Sequence, residues 1–560
     1  MNNVRNLLTG SLVYIACIVL LSLACNVSSG LPVADVIGQW LYFDKSALVV
    51  AGCLLMAGLM MEKRYFLFIP VSWVLVMLGG IEAVWGLRQL YGYAVSNHSL
   101  YVLTGSFFNP GPYSGYLAMI LPVCLHQWLT KRGEILCSDR NDGKGWKKVM
   151  DKVGAMVAGG VMLLILCVLP AGMSRSAWLA AMFGSVFVCG MHYSWGVRLQ
   201  KVWREHRAKV AAVGLLLAVL LIAGSSGIYR LKADSAKGRL FMWKVSCLVV
   251  AEKPLCGHGV GSFVDAYGQS QEAYFAKGDY SEDEERVAGS PEYAFNEYLQ
   301  LAVECGIPML LLVLGMVFFC LHQGIRRQRI GICGGIVSLL VFSFSSYPMS
   351  YPCFLVAFLC LLAACFGETS FWSSSRWMLA FAFVAGISGG WLIHNSTYEP
   401  CRKWAQCRML YGVEAYGSAK EGYEELYPLL KRRPRFLFEY GRCLHKLKEY
   451  DTSNRILLEA ERVSCDPMIL NIIGKNYQAS GAYEKAEEYL IRSTHRLPGR
   501  IYPYYLLAKL YAESKYLQPE KLKCAAEVVL TKEPKVMSKA IEDMREKVRA
   551  LLEERERAVK

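Results

Sequence analysis

Three arginines stand at the edges of apolar runs: Arg88 in GLRQLYG, Arg175 in MSRSAWLAAMFG and Arg239 in GRLFMW. A guanidinium stays charged at any accessible pH and is costly in hydrocarbon, so an arginine at a membrane edge either snorkels to the interface or lines a polar cavity. Three of them on one face, beside glycine-rich loops, favour a shared anion site. Groups suited to proton transfer lie in two nearby strings. YAFNEYLQLAVECGIP places Glu297 where a helix begins, and helical spacing puts Asn296, Gln300 and Glu304 along one stripe. KPLCGHGVGSFVDAYG sets His258 among Gly257, Gly259 and Gly261. Those glycines lack the G-x-G-x-x-G spacing and follow no strand, so a tight turn fits them better than a nucleotide-binding loop. A third string, TGSFFNPGPYSGYLAMILP, carries Asn109 and Tyr113 in a turn-dense corner that runs into a helix. Each acid or base also has a plainer role: Glu297 as a helix N-terminal charge, Glu304 as a buried structural partner, His258 as a loop hydrogen bonder. Tyr113, Tyr116 and Trp178 suit either stacking on a sugar or an interfacial aromatic belt.

The elements that hold these residues are membrane helices. Of 560 residues 54% are apolar and 19% charged, with a positive mean hydropathy. From about Ser11 to Ile393 the apolar residues come in blocks of bilayer-crossing length, about eleven in all: 11–27, 46–62, 65–85, 113–129, 154–173, 176–192, 209–226, 297–321, 330–346, 351–366 and 376–394. The first block also has the form of a signal sequence, or of a lipoprotein signal ending at Cys25, but the ten blocks after it favour a span. Alternate connections are basic (EKR at 62–64, 130–152, 196–209, IRRQR at 325–329). By the positive-inside rule these are cytoplasmic, which puts Arg175, the loop 227–296 and the chain's tail on the opposite side. Topology therefore accounts for the net charge of +15 without nucleic acid as a partner. Of the 20 cysteines many, such as Cys17, Cys124 and Cys353, fall inside apolar blocks with no metal-ligand spacing, so they read as small buried hydrophobes and no metal or cofactor is expected. The acidic run GDYSEDEE, 278–285, has adjacent rather than ligand-spaced charges and reads as a solvated loop.

The tail is different in character. YGRCLHKLKEYDTSNRILLEA, 440–460, aligns with IGKNYQASGAYEKAEEYLIRS, 473–493, placing Gly441 on Gly474 and Tyr450 on Tyr483, and 506–529 continues the phase. A repeat of about 33 residues in helical hairpins resembles tetratricopeptide repeats, whose concave face binds peptides or other chains. The expected fold is thus all-α: a polytopic helical bundle over 1–396 and a soluble α-solenoid over 397–560, capped by the charge-laced last helix.

Taken in order, TGSFFNPGPYSGYLA, SRSAW, GRLFMW, KPLCGHGVGSF and FNEYLQLAVECGIP resemble the bacterial O-antigen ligase and polymerase family, which includes protein O-oligosaccharyltransferases; the likeness covers about 70–394. The resemblance implies an inner-membrane enzyme that works on the periplasmic side, moving a glycan from an undecaprenyl diphosphate carrier onto the hydroxyl of a glycan, lipid or protein acceptor. The family's motif arginines fall on Arg175 and Arg239. Their guanidinium groups would pair with the diphosphate as it departs, without metal. Arg88, Asn109, Tyr113, Asn296 and Gln300 would line the substrate cavity. Ligases of this family carry histidine just before NEYLQ, where this chain has Tyr293 and Phe295, so the base that activates the acceptor falls to Glu297, Glu304 or His258. That departure leans from ligase towards polymerase. A membrane scaffold that binds partners through its repeats is the competing reading. A transporter fits less well, because the spans show no internal repeat.

Overall fold

The computed structural model describes residues 2–25, 34–60, 68–138, 145–196, 198, 204–205, 233–366, 388–389 and 399–559. Among these residues it is helical throughout, with no strand. Five helical segments are long and apolar enough to cross a membrane: Leu7–Cys25, Gly38–Ala57, Phe68–Leu90, Trp146–Gly172 and Glu297–Arg326. Two shorter apolar helices, Ile330–Ser343 and Pro352–Cys365, accompany them. The chain is a multi-pass membrane protein. The expected spans at 209–226 and over most of 376–394 lie outside the described residues.

Two compact units form, and each draws on separate stretches of the chain. The first comprises Met1–Leu220, Phe295–Tyr298 and Leu311–Glu399. It contains α1 (Asn2–Leu21), α2 (Ala34–Met60), α3 (Phe68–Leu90), α4 (Pro110–Ser138), α5 (Gly145–Val168), α6 (Arg175–His192), α11 (Ile330–Ser343) and α12 (Pro352–Cys365). Its core joins Val71 and Leu75 of α3, Tyr116 and Ile120 of α4, Ala177 and Ala180 of α6, Ile336 and Leu339 of α11 and Phe354 of α12. Small residues bring α4, α6 and α11 close together. A Cβ added at Gly184 would lie 2.6 Å from Pro122 Cγ and 2.9 Å from the Gly334 carbonyl, and one at Gly115 would meet the Phe342 ring at 2.2 Å. Ser338 Oγ donates to the Ala118 carbonyl at 2.7 Å across the same seam. Where lipid gives no hydrophobic drive between helices, such backbone approach and interhelical hydrogen bonding is what holds them.

The second unit is Leu221–Ala294, Leu299–Leu310 and Pro400–Lys560. The segment between the membrane helices supplies α7 (Ala233–Glu252), α8 (Phe263–Ala276) and α9 (Glu282–Val287). The tail supplies paired helices: α13 (Tyr416–Leu430), α14 (Pro434–Lys446) with α15 (Tyr450–Glu461), α16 (Pro467–Ala479) with α17 (Tyr483–Arg496), α18 (Ile501–Tyr511) with α19 (Pro519–Thr531), then α20 (Lys539–Val559). The sequence phase reappears as packing. A Cβ at Gly441 would meet Leu457 at 2.5 Å and one at Gly474 would meet Leu490 at 2.7 Å, and both pairs are displaced by the same 33 residues.

Helix α8 packs on α17. Leu497 joins Phe241, Phe263, Tyr267 and Phe275 in one apolar cluster, and Gly268 is needed because a Cβ there would stand 2.6 Å from Cys465 Cβ. Glu272 receives Arg492 Nε at 2.7 Å and Arg496 Nη2 at 2.6 Å, with Arg496 almost wholly buried. Gln271 Nε2 donates to the Arg496 carbonyl at 2.6 Å. The acidic run 278–285 departs from the solvated loop expected of it. Ser281 and Glu284 form a capping box that starts α9, while Asp283, Glu284 and Glu285 pair with Lys237, Lys244 and Lys532.

Removing one member of a buried ion pair leaves the other charge uncompensated. Glu272→Ala is therefore expected to cost about 3 kcal/mol, read as a lower unfolding midpoint for the full chain in detergent and as faster proteolysis at α8. An unchanged midpoint would show that the apolar cluster alone holds α8 to the tail.

Candidate functional site

Arg175 is the first residue of α6. Val168 ends α5, a 3-10 turn covers Leu169–Gly172, and Met173 takes a left-handed conformation (φ 49°) that reverses the chain. Ser174 then stands extended at the N-cap position. Arg175 is half-buried there. Two contacts fix the corner. A Cβ at Gly172 would meet Ser114 Oγ at 2.0 Å, and Ser345 Oγ lies 2.8 Å from Ser176 Oγ.

The short turn 344–351 between α11 and α12 gathers the rest of the first unit's candidates. Tyr347 OH accepts from Asn109 Nδ2 at 3.4 Å, and its ring meets Phe295 edge-on at 4.8 Å. Met349 N–H donates to Glu297 Oε1 at 2.7 Å. Asn296 is buried and caps the helix that follows, its Oδ1 accepting from Tyr298 N–H at 3.0 Å. So the turn brings the neighbours of Arg175, Asn109, Phe295 and Glu297 together. Its composition, SSYPMSY, with five hydroxyl-bearing residues and a proline, is the signal the sequence carries.

The corner 104–113 is held from beneath by two buried polar side chains of α3 that sequence reasoning passed over. Gln89 Oε1 accepts from the amides of Thr104 and Gly105 at 2.9 and 2.7 Å. Glu82 accepts from Ser106 Oγ at 2.6 Å and Ser106 N–H at 3.2 Å. A carboxylate inside an apolar run was the clue. Tyr113 is fully buried and donates through its hydroxyl to the Glu82 carbonyl at 2.9 Å, so it supports the corner and presents no face to a sugar. Trp178 Nε1 likewise donates to the Leu169 carbonyl at 3.0 Å. Arg88 is exposed at the end of α3, stacked over Trp85 at 5.7 Å.

The second unit holds the other candidates. Arg239 lies half-buried on α7, and Trp243 one turn later donates to the Ala294 carbonyl at 3.1 Å. The helix α10 (Glu297–Arg326) is broken at Gly306 (φ 84°, ψ 167°), just before Pro308, and the loop 253–262 fills the break. Ile307 N–H donates to the Pro254 carbonyl at 2.8 Å, His258 N–H to Val303 O at 2.8 Å and Gly259 N–H to Glu304 O at 2.9 Å. The glycines make this possible. Gly257, Gly259 and Gly261 all have positive φ, and a Cβ at Gly257 would stand 2.5 Å from the Glu304 carbonyl carbon. Gly306 answers from the other side, where a Cβ would lie 2.3 Å from Leu255 O.

Glu304 is committed to this turn. Its Oε2 accepts from Gly261 N–H at 2.9 Å and its Oε1 receives Gln300 Nε2 at 3.4 Å, while Gln300 Oε1 takes Ala294 N–H at 3.2 Å. The expected Gln300–Glu304 stripe is present. His258 points Nε2 at the Val249 carbonyl, 3.1 Å away. A carbonyl partner requires the proton on Nε2, which leaves the Nδ1 lone pair as an acceptor. Asp265, in the first turn of α8, is a further carboxyl that the sequence did not single out. Burial raises it above its ordinary range, against the pull of the Gln269 amide, Arg496 and His258.

Helices of bilayer length, an arginine at a helix start and a helix broken by an interlocked glycine turn are the features of this membrane-spanning chain. Residues 160–314 match the family model described as O-antigen ligase, a span that contains Arg175, Arg239, the glycine turn and the break at Gly306. That stretch of the chain is thus similar to the O-antigen ligase family. No curated protein matches the chain.

The turn yields a paired test. Gly259→Ala has open space for its Cβ and should cost only the left-handed backbone, roughly 1–2 kcal/mol. Gly257→Ala adds a backbone clash and should lower the unfolding midpoint clearly further. Equal losses would mean that the close approach to Glu304 is not what selects glycine at 257.

Proposed function

We propose that the protein is a periplasmic-face glycosyltransferase of the bacterial inner membrane that moves a glycan from undecaprenyl diphosphate to an acceptor hydroxyl, as an O-antigen ligase or polymerase. The observation that carries the proposal is Arg175 as the opening residue of α6, inside the stretch that matches the O-antigen ligase family. There a guanidinium stands beside the unpaired amides and positive end of a helix dipole, and both favour a polyanion. In this reading Arg175 pairs with the diphosphate and stabilises the charge it gains as the glycosidic bond breaks, and Arg239 is the second motif cation expected to serve the reaction. Asn109 and Asn296 are held by the 344–351 turn and the start of α10, where they shape the cavity, and Arg88 guards its rim.

The acceptor hydroxyl needs a base. Glu304 already accepts from Gly261 and Gln300, which suits a structural pin. Glu297 accepts the Met349 amide. His258 keeps an Nδ1 lone pair in the tautomer its Val249 contact requires, which makes it the favoured base of the three. The proton leaves the acceptor oxygen for Nδ1 as that oxygen bonds to the anomeric carbon. The carrier diphosphate leaves with the electron pair of the broken bond.

Arg175→Ala and Arg239→Ala should each slow transfer by about 100- to 1,000-fold, seen as accumulation of carrier-linked glycan in a deletion strain complemented with each variant. His258→Ala should slow transfer, while Glu304→Gln should act mainly on stability. Chain-length analysis of the surviving product separates polymerase from ligase, and a glycosylated protein acceptor would indicate an oligosaccharyltransferase. Alanine variants that are expressed, inserted and fully active would return the chain to the scaffold reading.

A further inference from the structure

Several cations of the tail pair with a carboxylate. Lys420 pairs with Glu449, Arg435 and Arg408 with Glu439, Arg492 and Arg496 with Glu272, Lys521 with Glu487 and Lys532 with Glu285. Among the tail cations without such a pair in the described residues, four fall in register. Arg442, Lys475 and Lys509 occupy the same place in successive helices α14, α16 and α18, beside Gly441, Gly474 and Ala508, at steps of 33 and 34 residues, and Lys446 lies one turn beyond Arg442. These are the first helices of their pairs and they touch one another along the array. The face against α8 is provided instead by α17, the second helix of its pair.

The other three charges surround Lys475. Lys475 is half-buried, and burial, with the like charges of Lys509, Lys446 and Arg442, holds its ammonium below the ordinary lysine range. Aromatic rings accompany them. Arg442 lies over Tyr411 at 5.3 Å and Phe438 at 5.5 Å, Lys446 over Tyr416 at 6.0 Å and Lys509 over Tyr505 at 5.9 Å. The ring position one turn before the cation, Phe438 in α14 and Tyr505 in α18, is taken in α16 by Asn471, buried with an Oδ1 that has no hydrogen-bond partner. Uncompensated like charge held together is unfavourable to the fold, so its natural complement is an anionic ligand.

We propose that Arg442, Lys446, Lys475 and Lys509, with Tyr411, Phe438 and Tyr505, form a ladder that binds an anionic repeating glycan. The choice of a glycan follows from the regularity of the site. Packed helices stand about 8–10 Å apart, so the rungs recur at a fixed interval, and a polymer of identical units offers carboxylates or phosphates at a fixed interval too. Ring faces beside the cations accept sugar C–H surfaces that an acidic peptide does not offer. The inference rests on the glycan-transfer reading and deepens it: the tail holds the growing or accepting chain by its charged groups while transfer occurs elsewhere in the same polypeptide.

The test uses the full chain in detergent, titrated with oligogalacturonate as the anionic glycan, with neutral malto-oligosaccharide of equal length and with poly-glutamate of equal charge. Oligogalacturonate should bind more tightly than either, and more weakly as salt rises. Replacing Arg442, Lys475 and Lys509 together with alanine should weaken it by about tenfold or more, whereas Lys420→Ala, outside the ladder, should not. The unfolding midpoint of the triple variant should stay the same or rise, because like-charge repulsion is relieved; a lower midpoint would mark the cations as structural and overturn the proposal. So would undiminished binding by the triple variant, equal binding of the neutral glycan, or equal binding of poly-glutamate, which would identify an acidic peptide groove. Transfer measured alongside keeps the two readings apart: Arg175-dependent transfer without oligogalacturonate binding defeats the ladder and leaves the transferase standing.

Discussion

An unsatisfied buried backbone amide or carbonyl costs several kcal/mol, and two departures from helix in this chain meet that constraint. The corner at 104–107 is possible because Gln89 and Glu82 take its amides. The break at Gly306 is possible because Pro254 replaces the lost helical partner of Ile307. Candidate functional residues cluster at these breaks because only there does the backbone turn side chains away from the regular helix face. The supports of the first corner, Gln89 and Glu82, are themselves buried and polar.

The second unit is held by its own set of contacts. The segment between the membrane helices shares a core with the tail, through Leu497 and the apolar face of α8. Glu272 between Arg492 and Arg496 then sets the register, since a buried charge pair tolerates little displacement. The helix carrying Arg239 and the turn carrying His258 therefore share a compact body with the repeats. Loss of the tail would act on those residues through packing.

The sequence made some of this legible. Hydrophobic block length gave the membrane helices, and the chain reversal between two apolar blocks gave the Arg175 corner, because Gly172, Met173 and Ser174 interrupt a run that is helical on both sides. The equal spacing of Gly441 and Gly474 gave the phase of the tail, since only glycine lets a facing leucine approach so closely. Alternate glycines at 257, 259 and 261 gave a tight turn. The same letters did not reveal that α10's backbone lies against it, as a positive φ is a local property and the clash at Gly257 is not. Tyr113 looked like a sugar platform and is a buried strut.

What the sequence determined by itself is what depends on local spacing: helices, their approximate ends, the repeat and the family motifs. What the tertiary structure decided is partnership. It chose which carboxylates are pins and which histidine nitrogen keeps its lone pair, it gave Ser345, Tyr347 and Met349 their role as a hub, and it docked α8 on a helix more than 200 positions away, Glu272 to Arg496. The physical reason is that helix formation is governed by neighbours within a turn or two, whereas hydrogen-bond satisfaction and charge pairing are settled by whatever the fold brings within about 3 Å.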